Sequence, residues 1–64
     1  MKSGYGSKLR ALRGDKTIEK VAEDLEISYS ALAMYEHEDR IPRDDVKVKI
    51  ADYYHTTVQS IFFD

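Results

Sequence analysis

Apolar side chains recur along this sequence at the three- and four-residue spacing of short α-helices. Tyr5, Leu9 and Leu12 would share one face of a first helix, and Gly14 would end it, since glycine readily adopts the left-handed conformation found after helix termini. The next two segments repeat the same inward pattern with Val21, Ala22 and Leu25, and then with Ala31, Leu32 and Tyr35. This spacing predicts helices rather than strands.

Hydroxyl side chains mark the starts of the second and third predicted helices. Thr17 and Ser28 suit the capping position, where a side-chain oxygen accepts a hydrogen bond from a free backbone N–H of the first turn. Because the two helices lie close together in sequence and both bury an apolar stripe, they should form a tight corner. A close crossing needs a small residue, and Ala22 supplies it.

The second half of the chain predicts two further helices. Pro42 and the acidic pair Asp44-Asp45 suit the beginning of a fourth helix, and Thr57 suits the beginning of a short last one. Their apolar stripes are Val46, Ile50, Ala51 and Tyr54, and then Val58, Ile61 and Phe62. The strand-like alternation of residues 46–50 is outweighed because the helical period continues beyond it. We therefore predict an all-α fold of five helices in a single domain, residues 1–64.

The composition indicates the class of protein and its cellular compartment, but says little about its function. The chain is 42% hydrophobic and 34% charged, which is typical of a soluble globular domain. It lacks cysteine, which excludes disulfides and thiolate metal sites, and it has neither a membrane-length apolar run nor a signal-peptide core at its start, so we expect a cytoplasmic protein. The net charge of −2 does not itself favour nucleic acid, but a local basic patch can still bind phosphate.

The segment TIEKVAEDLEISYSALAMYE, about residues 17–36, resembles the helix-turn-helix unit of the Xre/Cro-type phage repressor family. The resemblance continues through LRALRGDK before it and through RIPRDDVKVKIADYY and TTVQSIFF after it. It implies a compact five-helix, lambda-repressor-like domain that binds double-stranded DNA and regulates transcription. It implies no enzymatic activity, no metal and no small-molecule cofactor.

The resemblance also assigns roles to residues of the third helix. Those expected to contact bases are Ser28, Tyr29, Ser30, Ala33 and Met34. Serine and tyrosine hydroxyls can bond base edges, and alanine or methionine can touch a thymine methyl group. Because this set contains no Arg, Gln or Asn for bidentate reading of G or A, we expect methyl and shape readout with a preference for A·T-rich sites.

Contacts to the DNA backbone are expected from helix N-termini and basic side chains. The resemblance places them at Lys16, Thr17, Ile18, Arg40 and Arg43. Arg10 or Arg13 is expected to pair with Glu36. Three departures from the family pattern stand out. Ile18 replaces a common Gln, and the link from LRALRGDK to Thr17 is about two residues shorter than usual. Glu26 replaces the glycine of the turn, where a positive φ would cost on the order of 1 kcal/mol.

The end of the chain suggests self-association. Consecutive residues Ile61, Phe62 and Phe63 cannot all face one core, which suggests a homodimer contact there; the alternative is simple packing of the chain end. Two copies related by two-fold symmetry would bind an inverted-repeat operator, most simply as a repressor. The alternative is an antitoxin-like or phage regulatory module that uses the same fold to bind a protein. An enzyme is disfavoured because no catalytic constellation occurs, and the two histidines, His37 and His55, lack metal-ligand spacing.

Overall fold

The computed structural model describes residues 4–63, which form five helices and no strand. The helices are α1 (Tyr5–Arg13), α2 (Ile18–Leu25), α3 (Tyr29–Glu36), α4 (Asp44–Tyr53) and α5 (Gln59–Phe63). The predicted all-α, five-helix fold is therefore confirmed. The alternating residues 46–50 lie within α4, and α5 is a short turn of the wider π type. The extent of the domain, 1–64, stays a prediction, and residues 1–3 and 64 lie outside the described part.

The predicted helix starts and the first helix end are confirmed by their hydrogen bonds. The hydroxyls of Thr17 and Ser28 accept bonds of 3.0 Å from the backbone N–H groups of Lys20 and Ala31. The Thr57 hydroxyl caps the last helix in the same way. Gly14 ends α1 with a φ of 58° and donates its N–H to the Arg10 carbonyl. Local sequence signals thus fix where these helices begin and end.

The core draws apolar side chains from all five helices. They are Tyr5, Leu9, Val21, Ala22, Leu25, Leu32, Tyr35, Ile50, Ala51 and Ile61. Leu12, predicted to share a helix face with Tyr5 and Leu9, is not part of this core and is 39% exposed. Leu12 lies instead on an open groove of about 320 Å³ that Lys8, Ala11, Thr56, Ser60 and Ile61 also line. Since each helix gives only one to three residues to the core, none can leave without opening it.

Three helices end at a left-handed residue that is not glycine. These residues are Glu26 after α2, Glu38 after α3 and His55 after α4, with φ values of 60°, 61° and 58°. The next N–H then bonds back to the carbonyl five residues earlier, as in a Schellman motif, in the pairs Ile27–Ala22, Asp39–Met34 and Thr56–Ala51. Glu26 thus keeps the positive φ that the resemblance associates with this turn, and the other two left-handed residues were not predicted.

Candidate nucleic-acid interface

The corner between α2 and α3 leaves the beginning of α3 open to solvent. Ala22 is 3% exposed, as a close approach of two helices requires, and Leu32 on α3 is 1% exposed. With this inner side buried, Ser28, Tyr29 and Ser30 are all exposed, Tyr29 to 56%. A short helix held from one side with its first turn exposed has the shape needed to enter a DNA groove.

The five predicted base-contacting residues do not share one exposure. Ala33 and Met34 are half-buried, so they form the edge of the exposed face rather than its centre. The Ser28 hydroxyl already accepts the Ala31 N–H as the helix cap. Tyr29 and Ser30 therefore offer the most accessible polar groups of the set.

The beginning of α2 carries three of the predicted phosphate contacts, and each is engaged within the protein. The Lys16 ammonium lies 4.9 Å from the centroid of the Tyr53 ring and donates to its hydroxyl at 3.4 Å. The Thr17 hydroxyl caps α2. The Ile18 side chain packs against the core, so only its backbone N–H could meet a phosphate. A phosphate at this helix start would depend mainly on main-chain donors.

The loop between α3 and α4, residues 37–43, carries the other two predicted contacts and is called the basic loop below. Arg40 and Arg43 are both exposed, and neither guanidinium pairs with a carboxylate among residues 4–63. Between them Ile41 is 64% exposed, whereas Pro42 is buried. The loop therefore presents two guanidinium groups that form no ion pair within the described residues, although it also carries the carboxylates of Glu38 and Asp39.

The end of α3 is fixed to α1 by a buried ion pair. The Glu36 side chain is 1% exposed, and its carboxylate accepts from Arg13 Nε at 2.7 Å and from Nη2 at 3.0 Å. This hydrogen bonding raises the pKa of Arg13. Arg10 Nη1 donates to the Glu36 carbonyl at 2.8 Å. The pairing left open between the two arginines is thus resolved, with Arg13 on the carboxylate and Arg10 on the main chain.

Gly6 completes this junction and was missed at the sequence level. Its N–H donates to Glu38 Oε2 at 2.9 Å, and a Cβ at this position would collide with the Glu36 carbonyl oxygen. A glycine inside an amphipathic helix is the signal that could have indicated a close backbone approach. We name the contacts of Gly6, Arg10 and Arg13 with residues 36–38 the α1–α3 junction.

The predicted dimer residues divide between core and surface. Ile61 is 1% exposed and belongs to the monomer core, so it has no surface to offer a partner. Phe62 is partly buried, with its ring 5.5 Å from that of Tyr5. Phe63 is 66% exposed and rests against the Lys47 ammonium, 4.9 Å from its ring centroid. Any contact between copies through α5 must therefore centre on Phe63.

Other kinds of site find little support in the described part of the chain. Within residues 4–63 no three His, Cys, Asp or Glu side chains come together as metal ligands, and both histidines are exposed. No helix in this range is long and apolar enough to cross a membrane.

Comparison with known families agrees with the geometry. The sequence model of the helix-turn-helix family matches residues 8–61, and the chain therefore belongs to the Xre/Cro-like helix-turn-helix family. This is a family of DNA-binding regulatory proteins that are generally not enzymes. Searches of curated proteins and of solved structures each gave no match.

Proposed function

We propose that this chain is a transcriptional repressor that binds an inverted-repeat operator as a homodimer, with α3 of each copy in the major groove. The observation that carries the proposal is the exposed first turn of α3, which is capped at Ser28 and backed by the buried Leu32 and Glu36. An α-helix fits the major groove of B-DNA, and two-fold related copies read half-sites about one helical turn apart.

Base reading in this proposal rests on small and planar side chains. Tyr29 and Ser30 supply hydroxyls, Ser28 stands beside them, and Ala33 and Met34 supply apolar contacts at the edge of the face. Thymine methyl groups suit such contacts, so A·T-rich half-sites are expected. The absence of Arg, Gln and Asn from this face also favours A·T-rich half-sites, because no side chain on it can read G or A by two hydrogen bonds.

Backbone grip rests on the basic loop and on the first turn of α2. Arg40 and Arg43 are exposed and form no ion pair within residues 4–63, so they are available to phosphate. The start of α2 adds main-chain donors at Thr17 and Ile18, with Lys16 beside them. Few cations take part, so affinity should fall with salt on a shallow slope.

Selection of bound sites from random duplexes tests the proposal directly. The expected result is enrichment of an A·T-rich inverted repeat, whose affinity is then measured by fluorescence anisotropy. The variant Tyr29→Ala/Ser30→Ala should lose most of this affinity while keeping its fold, since both side chains are exposed. Val48→Ser, an exposed change on α4, is the matched control. Equal binding by the two variants would show that another face reads DNA.

Sedimentation tests the homodimer separately. At micromolar concentration the wild type should sediment as a dimer and Phe63→Ser as a monomer, because Phe63 is the exposed aromatic residue of α5. Phe63→Leu keeps an apolar side chain and serves as the control. A wild type that remains monomeric, on and off DNA, would overturn this part of the proposal.

A protein-binding module remains the second candidate. It is favoured by exposed apolar side chains away from α3, namely Leu12, Ile41 and Val48, and by the engagement of Lys16 with Tyr53. The same selection decides between the two. Failure to enrich any duplex at low salt would favour the protein-binding module.

A further inference from the structure

The hydroxyl of Tyr5 reaches across from α1 to the basic loop. It donates to the Arg40 carbonyl oxygen at 3.0 Å, over a sequence separation of 35 residues. The Tyr5 ring is 5% exposed and packs against Phe62, so the phenol is held by the core on one side and by the loop on the other. Burial raises the pKa of Tyr5, and Glu38 and Asp39 add to the effect, so the hydroxyl remains a proton donor.

Few other contacts hold this part of the loop. Among the described residues, the bond from Tyr5 is the sole hydrogen bond to residues 40–42. The α1–α3 junction ends at residue 38, and α4 begins at Asp44. Burial of Pro42 is the second anchor, but a proline ring has no N–H with which to orient the chain around it. The hydroxyl of Tyr5 is thus placed to decide the local course of the backbone.

We propose that Tyr5 is a positioning residue for DNA binding, which holds the backbone of the basic loop so that Arg40 and Arg43 face the phosphates together. Tyr5 itself need not touch DNA. The effect on DNA binding rests on the proposed function, whereas the anchoring of the loop by the Tyr5 hydroxyl does not. A loop held in its bound shape before binding loses less conformational freedom when the complex forms.

Tyr5→Phe tests the anchor because it removes one oxygen and leaves the ring packing in place. Tyr54→Phe is a matched control, since the Tyr54 hydroxyl is buried and has no hydrogen-bond partner within residues 4–63. The first readout needs no DNA. The amide nitrogen of Ile41 shares a peptide bond with the accepting carbonyl, so its chemical shift should move in Tyr5→Phe and stay in place in the control. An unmoved Ile41 amide would overturn the anchor.

The second readout separates positioning from direct contact. On the selected duplex, Tyr5→Phe should weaken affinity about threefold to tenfold, the range expected for one neutral hydrogen bond, with the salt slope unchanged because the same phosphates are still met. Arg40→Ala should instead reduce the slope by about 1. Wild-type affinity in Tyr5→Phe would overturn the positioning role. Absence of duplex binding by the wild type would overturn the proposed function and with it the positioning role, while the Ile41 shift still judges the anchor.

Discussion

The C-terminal ends of α2 and α3 lie on either side of helix α3: the first precedes its exposed start, and the second is its own far end. Both α2 and α3 end in a Schellman motif with a glutamate, Glu26 or Glu38, in the left-handed conformation. The end of α2 is tied to α4, where Lys49 Nζ donates to the Leu25 carbonyl at 2.8 Å and the Tyr53 hydroxyl donates to Asp24 at 2.6 Å. The end of α3 is tied to α1 through the α1–α3 junction.

These two ends differ in their exposure to water. The Asp24 side chain is 29% exposed, whereas that of Glu36 is 1% exposed. Ion pairs in water contribute little, but a buried charge that loses its partner is costly. The C-terminal end of α3 is therefore held by bonds that water screens less than those at the end of α2. The N-terminal end of α3 stays open, as contact with another molecule requires.

The largest effect should come from Arg13→Met at the α1–α3 junction. This change leaves the Glu36 carboxylate buried without its cation and should lower the free energy of unfolding by about 3 kcal/mol or more. Lys20→Met, which removes the cation beside Asp24 at the end of α2, should change it little because that pair is exposed. Urea denaturation followed by circular dichroism measures both. Equal losses in the two variants would contradict the contrast.

Gly6→Ala should have the next largest effect. Gly6 is the second residue of α1, and a glycine-to-alanine change in a helix ordinarily stabilises, by up to about 1 kcal/mol. Here the added Cβ would collide with the Glu36 carbonyl, and we expect a net loss of about 2 kcal/mol. Ser7→Ala, the exposed neighbour, is the control. A stabilised Gly6→Ala would show that the backbones of α1 and α3 do not approach this closely.

The two left-handed glutamates should respond differently to glycine. Glu26→Gly relieves the positive φ, and because the Glu26 side chain bonds nothing within residues 4–63, it should stabilise by about 0.5–1 kcal/mol. Glu38→Gly gains the same relief but removes the acceptor of the Gly6 N–H, so its gain should be smaller or reversed. Thermal melts of the two variants at pH 7 compare them. A larger gain for Glu38→Gly would contradict this order.

Alkaline pH should reveal the contribution of Tyr54, a neighbour of Glu36, to the free energy of unfolding. Burial, together with the nearby Glu36, raises the pKa of Tyr54 to about 12 from 10.0. Because the unfolded chain ionises first, the stability linked to this group is complete below pH 10 and is lost as the pH rises toward 12. Tyr54→Phe should therefore lose less stability than the wild type between about pH 9 and 11 in urea titrations, and equal losses in the two proteins would contradict this prediction.

Much of the fold could be predicted because its determinants are local. The caps at Thr17, Ser28 and Thr57 and the inward stripes of α2 and α3 are readable within a few residues. The α1–α3 junction could not be placed in the same way, since Gly6 and Glu38 meet only after the chain has folded back. The family resemblance anticipated an arginine on Glu36, but only the fold shows that Arg13 takes the carboxylate.

The candidate site was predicted less completely, for a related reason. The exposure of Tyr29 and Ser30 follows from helical period alone. The contact of Lys16 with Tyr53 depends on the position of α4 relative to α2, and no local sequence pattern predicts that position. For Ile61 the sequence allowed two expectations, a place in the apolar stripe of the last helix and a place in a dimer contact, and the fold bears out the first because the side chain is buried.

Helix α5 combines two duties within three positions, since Ile61 closes the core while Phe63 stands in solvent. If two copies associate through Phe63, the contact also holds α5 of each copy against the core of that same copy. Folding and assembly then become one linked equilibrium, and the melting temperature should climb as the protein is concentrated. Dilution alone would then lower the melting temperature.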